Sequence, residues 1–554
     1  MVLKNKHLVT LSLVPLILFL GSATQETNPF GQNPNSLSPN YEDYTSVISL
    51  SQDHIDAVNR RRRIVLQYDA FSEMGTDFKE WIAKRFKFID KPGNQIDAIW
   101  WDMGWGSNTV YPGQGLLDQN ENPEMRKWWD QGIDWVEELV KETRKRDLEV
   151  YWNYRVAEVD QWENPVKKAH PDWVVKSWYY QGLWNYAVPE VRQHHKAFIQ
   201  ELLEKYQFDG IQLDFARHVP ILPIGRQWEL RDNVTEFVRI VRLMMLEMEK
   251  KLGRPLLLSV KVPRNLEGCR IDGFDVETWA RLNLVDFFVM GSRSFDVDIA
   301  AYRRITRGSN IKLFPCWDDY HSSDGYRDPP PEFMRGVFGN WWQQGADGVV
   351  IFNWWVDQDS DYDIKRYLAM DNEAGSPETL RLKDQIFAIE RRGGYPWAEG
   401  FMGRNDIAPL PFTLANDGRP GVFQIRISDQ VGSYADQINH VTLRAIIFGA
   451  KQGDQIGAKL NGVELDQEIE DYQWKDPQIY SPRPQPNSGS GLPPGLPPDQ
   501  DQKLLRLEFN LPPRMCRIGE NQVEISIKHR EPHSHGSSSH NIVLEKLEVH
   551  LDYK

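Results

Sequence analysis

Phe208 to Pro220 reads FDGIQLDFARHVP. A Gly turn feeds a short apolar run, Ile211 to Leu213, which delivers Asp214 with Arg217 and His218 just beyond it, and Pro220 closes the stretch. In a parallel β/α protein the C-terminal ends of the strands face the site of chemistry, so a carboxylate there is placed for acid or base work. Whether this is one strand end among a repeating set decides the fold.

From Arg61 onward short apolar runs alternate with long amphipathic ones, the pattern of β/α units feeding a parallel sheet. Eight such runs occur: Arg63 to Tyr68, Asp97 to Trp101, Leu148 to Trp152, Gly210 to Leu213, Leu256 to Val262, Leu284 to Met290, Ile311 to Cys316 and Asp347 to Trp354. Eight is the closure number of the TIM barrel, and roughly 300 residues from first run to last is ordinary for that fold. Between the runs, Val191, His195, Phe198, Ile199, Leu202, Leu203 and Tyr206 share one helical face behind Pro189. Asn233 to Leu252 repeats the pattern with Phe237, Val241, Met244, Met245 and Met248. The Met and His positions on these faces read as wall packing.

After about residue 400 the alternation stops. Val422 to Ile427, Val441 to Phe448, Gln455 to Leu465, Leu504 to Phe509, Gln522 to Ile527 and Ile542 to Leu551 are strand-like and separated by turn residues, including Asn461-Gly462. They predict an antiparallel β-sandwich. Ser481 to Gln502, rich in Pro, Gly and Ser, predicts a surface loop, and His529, His533, His535 and His540 read as a solvated turn rather than a metal site. The expected organisation is a signal peptide at 1–23, a poorly ordered linker at 24–58, a (β/α)8 TIM barrel at 59–400 and a β-sandwich at 401–554 with a Pro/Gly-rich loop at 481–502.

The amino terminus sets the expected compartment. Lys4 and Lys6 precede an apolar run from Leu8 to Leu20, and Gly21-Ser22-Ala23 supplies small residues where a signal peptidase cuts. The run is too short and wrongly flanked for a stable span, so a secreted or periplasmic bacterial protein is expected. Loss of Lys4 and Lys6 takes the formal net charge from −14 to −16, which repels nucleic acid and anionic membranes. Cys269, Cys316 and Cys516 are odd in number and far apart, so no disulfide framework holds this fold. The chain is rich in aromatics, with 21 Trp, which suits either a heavily packed core or ring faces that stack on sugars.

Only residues at or past the strand ends can line the mouth of such a barrel. The first strand supplies Asp69, the second Asp102 and Trp105, the third Asn153, Tyr154 and Arg155, and the fourth Asp214, Arg217 and His218. The fifth supplies Lys261 and Arg264, the sixth Ser292, Arg293 and Ser294, the seventh Trp317, Asp318, Asp319 and Tyr320, and the eighth Asn353, Trp354 and Trp355. Glycosidic bond cleavage uses two carboxyls, one to protonate the leaving oxygen and one as nucleophile or base, and it benefits from aromatic platforms. A metalloenzyme is disfavoured because the strand ends offer one His, and phosphate-binding Gly loops and a Ser nucleophile elbow are absent. No metal and no cofactor is expected.

Asn185-Tyr186-Ala187 through His218, with DGIQLDFARH, and Phe274 to Ser292, with its D-x-E-T-W helix, resemble the bacterial glycosyl hydrolase-like family 10 proteins. The resemblance implies a barrel of glycoside hydrolase type with Asp214 as the first catalytic candidate. The α-amylase clan is a more distant likeness, from which the chain departs at Gln212 and Lys261, where that clan has Arg and Glu.

The expectation is an exported glycoside hydrolase acting on a poly- or oligosaccharide. Asp214 is nucleophile or base, Asp318 or Asp319 supplies the acid, and Asp102 stands in reserve. Asp69, Trp105, Tyr154, Arg155, Arg217, His218, Lys261, Arg264, Trp317, Asn353 and Trp354 are the expected substrate contacts. The rim cations Arg155, Arg217, Lys261 and Arg264 raise the prospect of an acidic or sulfated sugar. A non-catalytic glycan-binding or envelope protein, or a lyase with Tyr154 or Lys261 as base, stays open.

Overall fold

The computed structural model describes residues 46–70, 77–102, 108–112, 120–121, 123–157, 164–176, 181–216, 218–291, 294–319, 325–326, 329–354, 361–391, 408–479, 502–531 and 541–554. Among them eight parallel strands close into a barrel: β1 (Ile64–Asp69), β2 (Ile96–Asp102), β3 (Glu149–Arg155), β4 (Gly210–Asp214), β5 (Leu257–Val262), β6 (Phe287–Met290), β7 (Lys312–Asp318) and β8 (Val349–Phe352). Each pairs with its neighbour in sequence, and β8 closes on β1 with Ile64 opposite Val349 and Gln67 opposite Phe352. The TIM barrel expected from the eight apolar runs is the fold observed.

Closure explains why those runs are nearly all apolar. Parallel strands are buried on both faces, and here the two faces feed different cores. Leu66, Ile99, Trp152, Ile211, Leu258 and Phe288 face the surrounding layer of helices. Val65, Trp100, Tyr151, Leu257, Phe287, Phe314 and Val350 fill the interior, where Trp100 and Tyr151 stack with ring centroids 4.9 Å apart. By the same alternation, the inward positions nearer the C-terminal ends are polar: Gln67, Asn153, Gln212, Ser259 and Lys261, all buried. That change of character distinguishes the chemical end of the barrel from its base.

The base is closed by a helix where the sequence predicts a poorly ordered linker. Helix α1 (Gln52–Val58) is capped by Ser51, whose hydroxyl accepts from the His54 N–H. Its Ala57 and Val58 join the interior cluster, and Arg62 donates to the carbonyls of Ala57 (2.8 Å) and Val58 (3.0 Å). The buried face is His54, Ala57 and Val58 alone, too short for periodicity to reveal it. Helices α2 (Pro189–Lys205) and α3 (Arg231–Leu252) bury the faces read from the sequence. Two further barrel helices, α4 (Pro331–Gln343) and α5 (Asp361–Glu373), flank β8.

The C-terminal part is two antiparallel sheets packed as a sandwich. Its strands are β9 (Gln385–Ala388), β10 (Gly421–Ile427), β11 (Ile438–Phe448), β12 (Gln455–Leu460), β13 (Gln467–Trp474), β14 (Leu504–Asn510), β15 (Gly519–His529) and β16 (Val543–Tyr553). One sheet runs β9-β16-β11-β14-β13, with Phe412–Thr413 also paired to β16, and the other runs β10-β15-β12 with Val463–Glu464 at its edge. Phe387, Ile425, Leu443, Leu507, Ile525 and Leu547 meet between them. Asn461 and Gly462 both take left-handed φ, the requirement of a tight two-residue hairpin.

Two sequence expectations change. The sandwich sheet begins with β9 at Gln385, ahead of the expected start at 401, because β9 pairs with β16 at the far end of the chain. Strand β13 was not expected at all: QEIEDYQW is an edge strand exposed along most of its length, so it shows no apolar alternation. Residues 481–501 of the expected loop at 481–502, and His533, His535 and His540, lie outside the described residues. The three cysteines are free and buried, and no described helix is long and apolar enough to cross a membrane.

Candidate active site

Asp214 is the last residue of β4, and alternation along Gly210, Gln212 and Asp214 turns its side chain into the barrel. Its Oδ1 accepts from the Ala216 N–H (3.0 Å) and its Oδ2 from the Gln67 amide (3.4 Å). The Lys261 ammonium lies 3.9 Å from the same Oδ2, donates to Gln67 Oε1 (3.3 Å) and sits 4.0 Å from the centre of the Phe352 ring. All of these side chains are buried. A carboxylate is admitted to such a place only with a countercharge and hydrogen-bond donors, and Lys261 and Gln67 provide them. Below them burial pushes the Cys316 thiol up to about 12, with Lys261 pulling it down and Asp318 and Asp214 adding to the rise. That keeps Cys316 a protonated, unreactive thiol.

Three strands further round, Asp318 ends β7 on the same interior face as Phe314 and Cys316. Its Oδ1 accepts from the Asn353 amide (2.9 Å), and Asn353 takes a left-handed φ of 55° to reach it from the end of β8. On the opposite side Arg155 bridges two carboxylates, donating from Nε to Asp102 (2.6 Å) and from Nη2 to Asp69 (2.9 Å), while Asn153 also donates to Asp102 (2.9 Å). The mouth thus gathers Asp69, Asp102, Asp214 and Asp318 with Arg155, Lys261 and Asn353.

Other expected contacts face elsewhere. Tyr154 points outward, with its hydroxyl hydrogen-bonded to His195 Nδ1; burial holds that imidazole well below its usual range. Trp317 and Trp354 belong to the outer core. Asp319, one residue after Asp318, also faces outward, where Arg366 grips both its oxygens and the Trp317 indole donates to it (3.1 Å). Arg264 turns away to Glu390 of the segment after β9 (2.8 Å) and to Ser294 (3.1 Å). In each case parity or a buried partner of opposite charge decides the direction. His218 lies buried beyond β4, and Trp105 and Arg217 lie outside the described residues. Since Arg155, Lys261 and Arg264 all face protein carboxylates, the argument for an acidic sugar loses three of its four cations.

Two groups escaped the sequence reading. Gln67 is the polar interruption of an apolar strand, two residues before Asp69 and therefore on the same face; that interruption was the available signal. Asp371 of α5 is wholly buried and accepts from the Trp354 indole N–H (3.0 Å). Burial pushes its carboxyl up to about 8 against the opposing pull of that hydrogen bond. Nothing in an amphipathic helix pattern marks such a residue in advance.

A closed parallel barrel with carboxylates anchored at the C-terminal ends of several strands is an arrangement that glycoside hydrolases use. Residues 77–221 match the family model Glycosyl hydrolase-like 10, a segment that spans Asp102, Arg155 and Asp214. Similar solved structures include the glycoside hydrolase domain of PgaB (BpsB) from Bordetella bronchiseptica, at 12% identity over 56% of this chain and 98% of that one, with a TM-score of 0.39. The α-L-fucosidase isoenzyme 2 of Paenibacillus thiaminolyticus is 12% identical over 59% and 51%, with a TM-score of 0.38. The α-amylase of Geobacillus thermoleovorans is 12% identical over 87% and 100%, with a TM-score of 0.36. These likenesses are remote and assign no residue a role. No curated protein sequence matches the chain.

Proposed function

We propose that the chain is an exported glycoside hydrolase acting at the C-terminal mouth of the barrel, with Asp214 as nucleophile or base and Asp318 as general acid. The observation that carries this is that β4 and β7 each end in a buried carboxyl turned into the barrel at its C-terminal mouth. Asp214 has the Lys261 cation at 3.9 Å and two N–H donors, the surroundings that suit a group working as a carboxylate. Asp318 accepts from the Asn353 amide at the end of β8, which holds its carboxyl at the mouth, where a proton donor to the leaving oxygen must stand. Asp102, fixed by Arg155 and Asn153, holds the third wall rather than delivering protons. The substrate is a glycan, and a neutral one agrees with the internal pairing of the described rim cations.

Hydrolysis is tested by incubating the purified chain with neutral, acidic and sulfated polysaccharides and measuring reducing ends. Release from at least one neutral glycan supports the reading. Unsaturated products absorbing near the ultraviolet edge would instead indicate a lyase, and binding without release a non-catalytic receptor.

A further inference from the structure

Strand β8 ends by breaking its own alternation. Ile351 belongs to the outer core and Phe352 to the interior, so an extended Asn353 would face outward again. Asn353 instead takes a φ of 55°, a left-handed conformation that Asn adopts more readily than most side chains, and its amide comes round to Asp318 on the interior face (2.9 Å). The other described non-glycine residues with positive φ are Asp147, Asn283, Leu382 and Asn461, and none of them stands at the C-terminal end of a barrel strand. A sparsely populated backbone conformation at the mouth itself is a pointer to function.

Asn353 is also tied to the other carboxyl. Its backbone N–H donates to the Gln67 carbonyl (3.2 Å) across the closure of the barrel, and the Gln67 side chain donates to Asp214 Oδ2 (3.4 Å). The Asp319 N–H donates to the Phe352 carbonyl (2.9 Å), which fastens the neighbour of Asp318 to the neighbour of Asn353. One chain of bonds therefore runs from Asp318 through Asn353 and Gln67 to Asp214. All four side chains are buried, so bulk water does not compete for these bonds. The chemical consequence lies at Asp318. A side-chain N–H on Oδ1 fixes the plane of the carboxyl and, because that oxygen already accepts, assigns the proton of the acid form to Oδ2.

We propose that Asn353, expected from the sequence as a substrate contact, is instead the positioning residue of the general acid. It selects the oxygen of Asp318 that carries the proton and holds that carboxyl in a fixed relation to Asp214. The inference rests on the reading of Asp318 as the acid.

The test compares the full chain with Asn353→Gly and Asn353→Asp. Glycine takes a left-handed φ at no steric cost, so the first variant keeps the turn and deletes the donor. Aspartate keeps the shape and replaces the donor by an acceptor. Each is assayed on the glycan that the native chain cleaves and on the dinitrophenyl glycoside of the same sugar, whose leaving group departs with little protonation. The glycan rate is expected to fall roughly tenfold or more in both variants while the aryl glycoside rate stays within about twofold, a split that loss of structure would not produce. Equal falls on both substrates, or no fall on either, overturn the inference. Asp318→Asn, run alongside, separates the two levels. If it leaves the ratio of the two rates unchanged, the active-site reading fails and the inference with it, whereas a changed ratio in Asp318→Asn alone counts against Asn353 only. A readout that needs no turnover is the NMR titration of the Asp318 carboxyl carbon, assigned by its loss in Asp318→Asn. Its midpoint should rise by about half a pH unit or more in Asn353→Gly, because the carboxylate form loses a donor that favours it. An unmoved midpoint overturns the inference even if the chain cleaves no glycan offered.

Discussion

At the tip of β7 Asp318 faces the interior and accepts from Asn353, whereas Asp319 faces outward into Arg366. The pair was visible in the sequence, but which member faces the mouth depends on strand parity, and parity becomes legible only when the register is known. The same rule sends Trp317 outward and Gln67 inward. Asp214 was legible because it ends a strand whose limits are marked by Gly210 and Pro220, while its partners Gln67 and Lys261 come from other strands and needed the closed barrel. Distinct outcomes follow. Asp318→Asn should abolish cleavage of unactivated glycans but spare aryl glycosides with acidic leaving groups, which need little protonation; the two rates separate a general acid from a structural residue. Asp319→Ala should leave Arg366 buried without its main partner and cost on the order of 3–5 kcal/mol of stability, read as a fall in the midpoint of denaturant unfolding.

Two elements carry titrating groups that couple the fold to pH. In α1, His54 lies buried between Glu249 (2.7 Å) and Asp286 (3.0 Å), with Arg242 also on Asp286. Burial opposes its charge and Arg242 repels it, yet the hydrogen bonds and charges of Asp286 and Glu249 prevail and its pKa is raised. The unfolded chain loses that proton first as pH rises, so the contribution is complete below about 6.5 and disappears as pH climbs through the folded value. His54→Gln should flatten the fall of Tm above pH 6.5. In α5 the direction is the same, but burial of a neutral acid rather than pairing of a cation causes it. Asp371 keeps its proton up to about 8 when folded, whereas an unfolded Asp releases it near 4, so stability falls across that interval by at most about 1.4 kcal/mol per pH unit. Asp371→Asn should make Tm less sensitive to pH between 4 and 8, and an unchanged slope would contradict the buried-acid assignment. Neither group was legible beforehand, because each takes its character from residues far away in sequence.

The whole molecule behaves as a barrel whose mouth is braced by the sandwich. A Cβ added at Gly336 of α4 would lie 2.1 Å from the Ile386 carbonyl of β9, so helix and strand touch backbone to side. Glu390 ties the ends of β5 and β6 through Arg264 and Ser294, Tyr326 beyond β7 donates to Glu548 of β16 (2.9 Å), and Arg391 pairs with Glu545 (2.7 Å). Gly336→Ala should therefore lower Tm by several degrees, overpacking of this kind costing about 1–3 kcal/mol, and the two parts should unfold in one calorimetric transition rather than two. The change from alternating β/α runs to short strands placed the second domain correctly in kind, but its first strand escaped because four residues carry no turn or period of their own. The central claim remains the carboxylate at the end of β4. The most direct measurement is the hydrolytic rate of the purified chain and its Asp214→Asn variant on whichever neutral polysaccharide the native chain cleaves. A fall in kcat of about a hundredfold or more, with glycan binding retained, is the predicted result, and equal rates for the two proteins would contradict it.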